Sequence, residues 1–185
     1  APDAEYGTVM AKTLAKAQQT GLVTSMDVVS EDGDRFTAVV TPSLKYCDNL
    51  IINEVEASMI CRTPVRKDGV LERGALKEVC MKLMDAGVRQ RVVIHAPEAA
   101  CALEKGGGFV YVPSLKLPPD YIKGTVGAGD AFCAGVLYSI YRDYSIEEAL
   151  VIGAGAAACS LSELNAVDGM KDIGYIHSLI EKYRV

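Results

Sequence analysis

Gly127-Ala128-Gly129-Asp130, running straight into Ala131-Phe132-Cys133-Ala134-Gly135-Val136-Leu137, decides how this chain is read. Two glycines around an alanine let the backbone turn tightly and aim several N–H groups at one point. A helix that begins there adds the positive end of its dipole, so the segment suits an anion. Asp130 falls in the first turn of that helix. A carboxylate beside an anion pocket is poorly placed for holding phosphate alone. It is well placed to take a proton from a hydroxyl that attacks a phosphoryl group held by the same turn. The local pattern equally allows an aspartate that only complements the helix dipole.

Working outward, Val92-Val93-Ile94-His95 is the clearest strand upstream of the turn. Ala99 to Leu103 and Phe109 to Val112, separated by Gly106-Gly107-Gly108, read as a hairpin. Further back, Leu22 to Val29 and Leu50-Ile51-Ile52 read as buried strands, with Glu31-Asp32-Gly33-Asp34 as a turn after the first. Phe36 to Val40 fits either strand or short helix. Helices are expected from about Ala4 to Gln19, from Asn53 to Ile60, and from Glu72 to Ala86 closed by Gly87. Three more are expected from Gly127 to about Tyr141, from Ile146 to about Ser162 and from Ile173 to Tyr183. Strands alternating with helices of this length predict one α/β domain over residues 1–185: a three-layer αβα sandwich around a mostly parallel sheet. Ligands bind such sheets at the carboxyl ends of the strands. The loops after Ile52, after Ile94 and before Gly127 should therefore gather at one edge.

Composition narrows the function classes. The chain has 185 residues, half of them hydrophobic, with a formal net charge of −5. No basic stripe is present, which argues against nucleic acid as a partner. No apolar run approaches the ~20 residues of a membrane span, and no signal-peptide pattern opens the chain. The six cysteines lack C-x-x-C spacing and sit mostly in apolar runs. They read as buried thiols in a reducing, cytoplasmic compartment.

Asn53-Glu54-Val55-Glu56 directly follows the strand at Leu50-Ile51-Ile52. Asn53 and Glu56 lie three apart on the first turn of a helix and can face the same way. Such a pair can organise hydrated Mg²⁺, which prefers oxygen ligands and keeps several waters. It is also the pattern of a capping box, Asn at the cap and Glu at the third helical position.

Asn53-x-x-Glu56 together with Gly127-Ala128-Gly129-Asp130-Ala131-Phe132 resembles the carboxy-terminal half of a ribokinase-like (PfkB) carbohydrate kinase. The resemblance covers nearly the whole chain, including the strand ending Thr24-Ser25-Met26-Asp27 and the hairpin ahead of the turn. It implies an ATP-dependent transfer to a hydroxyl of a sugar or similar small molecule. Asp130 would be the base, and the N–H groups of Gly127, Ala128 and Gly129 the anion hole for the transferred γ-phosphoryl. Asn53 and Glu56 would organise Mg²⁺, and Gly155 would admit the adenine by lacking a side chain.

The chain also departs from that family. Gly124-Thr125-Val126 stands where Asp-Thr-Thr is common, which counts against activation by a monovalent cation such as K⁺. His95-Ala96-Pro97-Glu98 replaces the usual Thr-x-Gly at the nucleotide phosphates. His95 could donate there in place of the Thr, or be purely structural, and Pro97 has no N–H to offer. Glu163 to Gly169 could close over the nucleotide or be a polar helix exit. The amino-terminal strands, the sugar-recognising glycines and the β lid of the family have no counterpart, and the chain opens without Met. A carboxy-terminal fragment of a longer kinase is expected, with self-association through an uncovered sheet edge. The competing reading is a nucleotide-binding remnant that transfers nothing. An NAD site ranks below both, because the G-x-G-x-x-G spacing is absent. The sugar itself is not named by these residues.

Overall fold

The computed structural model describes residues 1–29 and 34–184. The chain opens with β1 (Pro2–Asp3) and β2 (Gly7–Thr8), an antiparallel pair, followed by α1 (Val9–Gln19). The helix starts later than the expected Ala4. Gly7 takes φ +83°, a turn conformation, and the Thr8 hydroxyl then caps the helix by accepting from the Ala11 N–H at 3.1 Å.

β3 (Ser25–Met26) is all that forms of the strand expected over Leu22 to Val29. Met26 is buried, but Leu22, Val23 and Val29 are 62, 63 and 88 % exposed. The turn read at Glu31-Asp32-Gly33 lies outside the described residues. α2 (Asp34–Val40) settles the ambiguous segment as helix, with Phe36 and Val40 buried one turn apart. A 3₁₀ turn, Thr41–Tyr46, leads into β4 (Asn49–Asn53), which pairs parallel with β3 in the register Met26 to Leu50.

α3 (Glu54–Cys61) follows and ends at Arg62, which adopts the left-handed conformation. The small hairpin of β5 (Arg66–Lys67) and β6 (Val70–Leu71) was not anticipated. Its signal is nonetheless in the sequence. Asp68-Gly69 is a favoured two-residue hairpin turn, and both residues take positive φ here. α4 (Arg73–Asp85), β7 (Arg91–His95), β8 (Ala99–Glu104) and β9 (Phe109–Pro113) come next, then α5 (Ala128–Tyr141), α6 (Ile146–Leu161) and α7 (Ile173–Tyr183).

The central five-stranded sheet runs β3-β4-β7-β8-β9 and, with its helices, makes an α/β fold of the expected class. The sheet is mixed. β3 and β4 are parallel, but the connections from β7 to β8 and from β8 to β9 are too short for a crossover and allow only antiparallel pairing.

The described residues form two compact units, Ala1–Ile94 with Ala102–Phe109, and His95–Cys101 with Val110–Val185. The chain passes from one to the other within β7, β8 and β9. In the first unit the core is aliphatic, with Leu50, Ile51, Ile52, Val92 and Val93 of the sheet and Leu76, Val79 and Leu83 of α4 fully or almost fully buried. In the second, α5 and α6 touch at glycines. A Cβ on Gly135 would stand 2.9 Å from the Gly153 Cα, and one on Gly153 would stand 2.9 Å from the Phe132 ring and from Val136. The backbones can approach this closely only because neither position carries a side chain. No helix among the described residues is long and apolar enough to cross a membrane.

Candidate functional site

The expected anion turn belongs to the second unit. Gly127 caps α5 in the left-handed conformation, φ +81° and ψ 0°, and no side chain caps the helix start. The Ala131 N–H donates to the Gly127 carbonyl at 2.9 Å, and the Ala128 N–H makes a longer 3.3 Å bond back to Thr125. Among the described residues the N–H groups of Gly129 and Asp130 have no acceptor. The first turn of α5 therefore keeps unsatisfied donors and its positive dipole end. Of the three amides expected to form the anion hole, that of Ala128 is drawn into the preceding turn.

Asp130 is exposed on that first turn. Among the described residues its carboxylate has no hydrogen-bond or ion-pair partner. An acidic group in this place complements the dipole, and it is also free to reach an incoming hydroxyl.

His95, at the end of β7, is brought to the turn. Its ring lies 4.8 Å from the Phe132 ring at 35°, and a Cβ on Gly129 would stand 3.3 Å from its Cε1 and 3.7 Å from its Nε2. Burial pushes the imidazole down to about 4, so it is neutral at neutral pH and has one N–H to donate. Neither ring nitrogen has a hydrogen-bond partner among the described residues.

The segment after α6 packs against the turn. A Cβ on Gly127 would lie 2.5 Å from the Ala166 Cβ, and one on Gly124 would lie 2.9 Å from the Glu163 carbonyl and 3.0 Å from the Leu164 Cα. The backbone of 163–164 thus fills the room that an aspartate at 124 would need. The segment is itself built, since Asn165 Oδ1 accepts from the N–H groups of Val167 and Asp168 at 3.0 and 2.9 Å. Ala166 escaped the sequence reading because nothing local marks it.

Gly155 lacks the open space expected beside it. It is buried in α6, and a Cβ there would meet Ile176 at 2.8 Å and Ile180 at 2.9 Å. Its missing side chain makes room for α7, so the premise that it opens space for a base fails.

In the first unit, Asn53 and Glu56 are brought together as a reciprocal cap. Asn53 Oδ1 accepts from the Glu56 N–H at 2.8 Å, and Glu56 Oε2 accepts from the Asn53 N–H at 3.0 Å. The neighbouring Glu54 pairs with Arg66 at 2.9 Å. No group of three or more His, Cys, Asp or Glu among the described residues could hold a metal ion. The side-chain oxygens of Asn53 and Glu56 are the donor type that a hydrated cation such as Mg²⁺ takes.

The profile of the pfkB family carbohydrate kinases matches residues 3–173. The chain is 30 % identical over 138 residues to a 5-dehydro-2-deoxygluconokinase of Geobacillus kaustophilus, covering 75 % of this chain and 38 % of that protein. It is 31 % identical over 83 residues to a 2-dehydro-3-deoxygluconokinase of Escherichia coli, covering 45 % of this chain and 27 % of that one. Among solved structures, Arabidopsis thaliana ribokinase complexed with ribose and ATP superposes with a TM-score of 0.78 at 20 % identity, over 94 % of this chain and 52 % of that one. A Thermotoga maritima 2-dehydro-3-deoxygluconokinase gives 0.74 at 18 % identity, over 94 % and 54 %. The chain spans about half the length of these structures and less of the curated relatives.

Proposed function

Since the chain belongs to the pfkB family of carbohydrate kinases, we propose that it forms the phosphoryl-transfer part of an ATP-dependent kinase acting on a hydroxyl of a sugar or sugar acid. The observation that carries this reading is the uncapped first turn of α5, with an exposed, unpartnered Asp130 beside unsatisfied amides. In the proposed reaction Asp130 accepts the proton of the acceptor hydroxyl. That oxygen bonds to the γ-phosphorus as the bond to the β,γ-bridging oxygen breaks, and ADP leaves. The amides of the turn, Gly129 foremost, stabilise charge on the transferred group. His95 contributes a neutral donor at the same edge. Asn53 and Glu56 would hold the waters of a bound Mg²⁺. The 2-dehydro-3-deoxy- and 5-dehydro-2-deoxygluconokinase relatives point to a keto-deoxy sugar acid as the acceptor class.

The test is Asp130→Asn in the full-length gene product, with ATP binding by calorimetry beside a transfer assay. Affinity for ATP should stay within about twofold, while turnover falls roughly 10²–10⁴-fold, the usual worth of a positioned base. Unchanged turnover would remove Asp130 from the chemistry. The rival reading, a nucleotide-binding remnant, draws on Pro97 and on the Ala96 N–H being spent on Ala99. It predicts ATP binding with no transfer in the unsubstituted protein.

A further inference from the structure

The glycine turn is flanked by two side chains from distant parts of the same compact unit. Behind Gly127, which needs its positive φ, sits the Ala166 methyl, 2.5 Å from where a Cβ on Gly127 would be. Beside Gly129 sits the edge of the His95 imidazole, 3.3 Å from where a Cβ on Gly129 would be. His95 is in turn seated on Phe132, one turn further along α5, and Gly153 also packs against the Phe132 ring. Ala166 is held by the Asn165 turn, and Ser160 Oγ reaches back to the Val126 carbonyl at 3.4 Å.

We infer that His95 and Ala166 are positioning residues that clamp the turn from two sides and fix the direction of its amides, and that Gly127 and Gly129 are glycines to leave these two groups room. This rests on the reading of the turn as the anion hole. Donors aimed at a developing charge are effective only when they need not reorganise during reaction, and a displacement near 1 Å in such a site can cost about 10²-fold. A turn with two glycines is intrinsically mobile, because neither residue restricts φ. Contacts from outside the turn must supply the rigidity, and these two side chains make such contacts.

The experiment follows the backbone amide resonances of Ala128, Gly129 and Asp130 in the ¹⁵N-labelled chain, free and titrated with inorganic phosphate. Variants are H95A, G129A, H95A/G129A, A166S and A166V. G129A crowds the imidazole and is expected to displace these resonances and weaken phosphate binding about tenfold, a partial loss of one hole donor. H95A/G129A should match H95A alone in resonances and phosphate affinity, because the crowding is gone. A166V should displace the same resonances, whereas A166S, of nearly the same size, should match the unsubstituted chain. Strictly additive effects of H95A and G129A, or an A166V chain with unmoved resonances and unchanged affinity, would overturn the inference. If H95A does not fold, the A166S and A166V pair decides alone. Absence of phosphate binding in the unsubstituted chain would count against the anion-hole reading. The resonance displacements in the free variants would still decide whether the turn is clamped.

Discussion

His95 is a base whose charge the fold disfavours. Burial among the groups that seat it pushes it from 6.5 down to about 4. Between these two values the unfolded chain takes up a proton that the folded chain refuses. Stability from this group is therefore complete above about pH 6.5 and is lost as pH falls toward 4, by at most about 3 kcal/mol. Urea midpoints at pH 7 and pH 4.5 check this. The unsubstituted chain should lose more stability between them than His95→Phe, which keeps an aromatic ring against Phe132 but cannot titrate. Parallel losses in both proteins would show that other groups govern the acid limb. Much at this scale was legible beforehand. The Asn53 and Glu56 spacing admitted a capping box, and the box forms. What the spacing could not say is whether the same two side chains also hold metal-bound waters, because local geometry is the same in both readings.

At the scale of elements, glycines divide into those that make room for a neighbour and those that do not. Gly153 is of the first kind, with its missing Cβ position 2.9 Å from both Phe132 and Val136. Gly74, in the first turn of α4, has nothing within 4 Å of that position. Gly153→Ala should therefore destabilise the chain by about 1–3 kcal/mol through overpacking at the α5–α6 crossing. Gly74→Ala should be neutral or stabilise by up to about 1 kcal/mol through helix propensity and a less mobile unfolded chain. Equilibrium urea unfolding of the two variants separates these outcomes, and equal effects would contradict the packing assignment. The sequence pattern located most of these helices well. Ile173–Tyr183 matches to the residue, because the spacing of Ile176, Leu179 and Ile180 marks one face and Asp172 caps it. Strand β3 was overestimated for the opposite reason. Leu22, Val23 and Val29 look like a buried run, but burial depends on what lies beside a strand, and the run carries no record of that.

For the molecule as a whole, the cysteines give the most direct check. All six are thiols, and five are buried. Burial pushes the Cys47 thiol up to about 12 and the Cys61 thiol up to about 11, and raises Cys159 as well. Thiolates are the reactive form, so at pH 8 N-ethylmaleimide should add to at most one cysteine of the native chain, the half-buried Cys61, and to all six after denaturation. Intact-mass spectrometry reads the count, and several rapid native adducts would mean that the packing is looser than described. The local geometry of the glycine turn was determined by the sequence alone, since a left-handed glycine, a helix start and an aspartate on its first turn are consequences of neighbouring residues. So were the helix caps at Asn53, Ser145 and Asp172. Only the tertiary structure decided that Gly155 yields its space to Ile176 and Ile180, and that Ala166 and His95 close on Gly127 and Gly129. These depend on side chains far apart in the chain meeting across less than 4 Å, and no local pattern encodes which distant residue arrives.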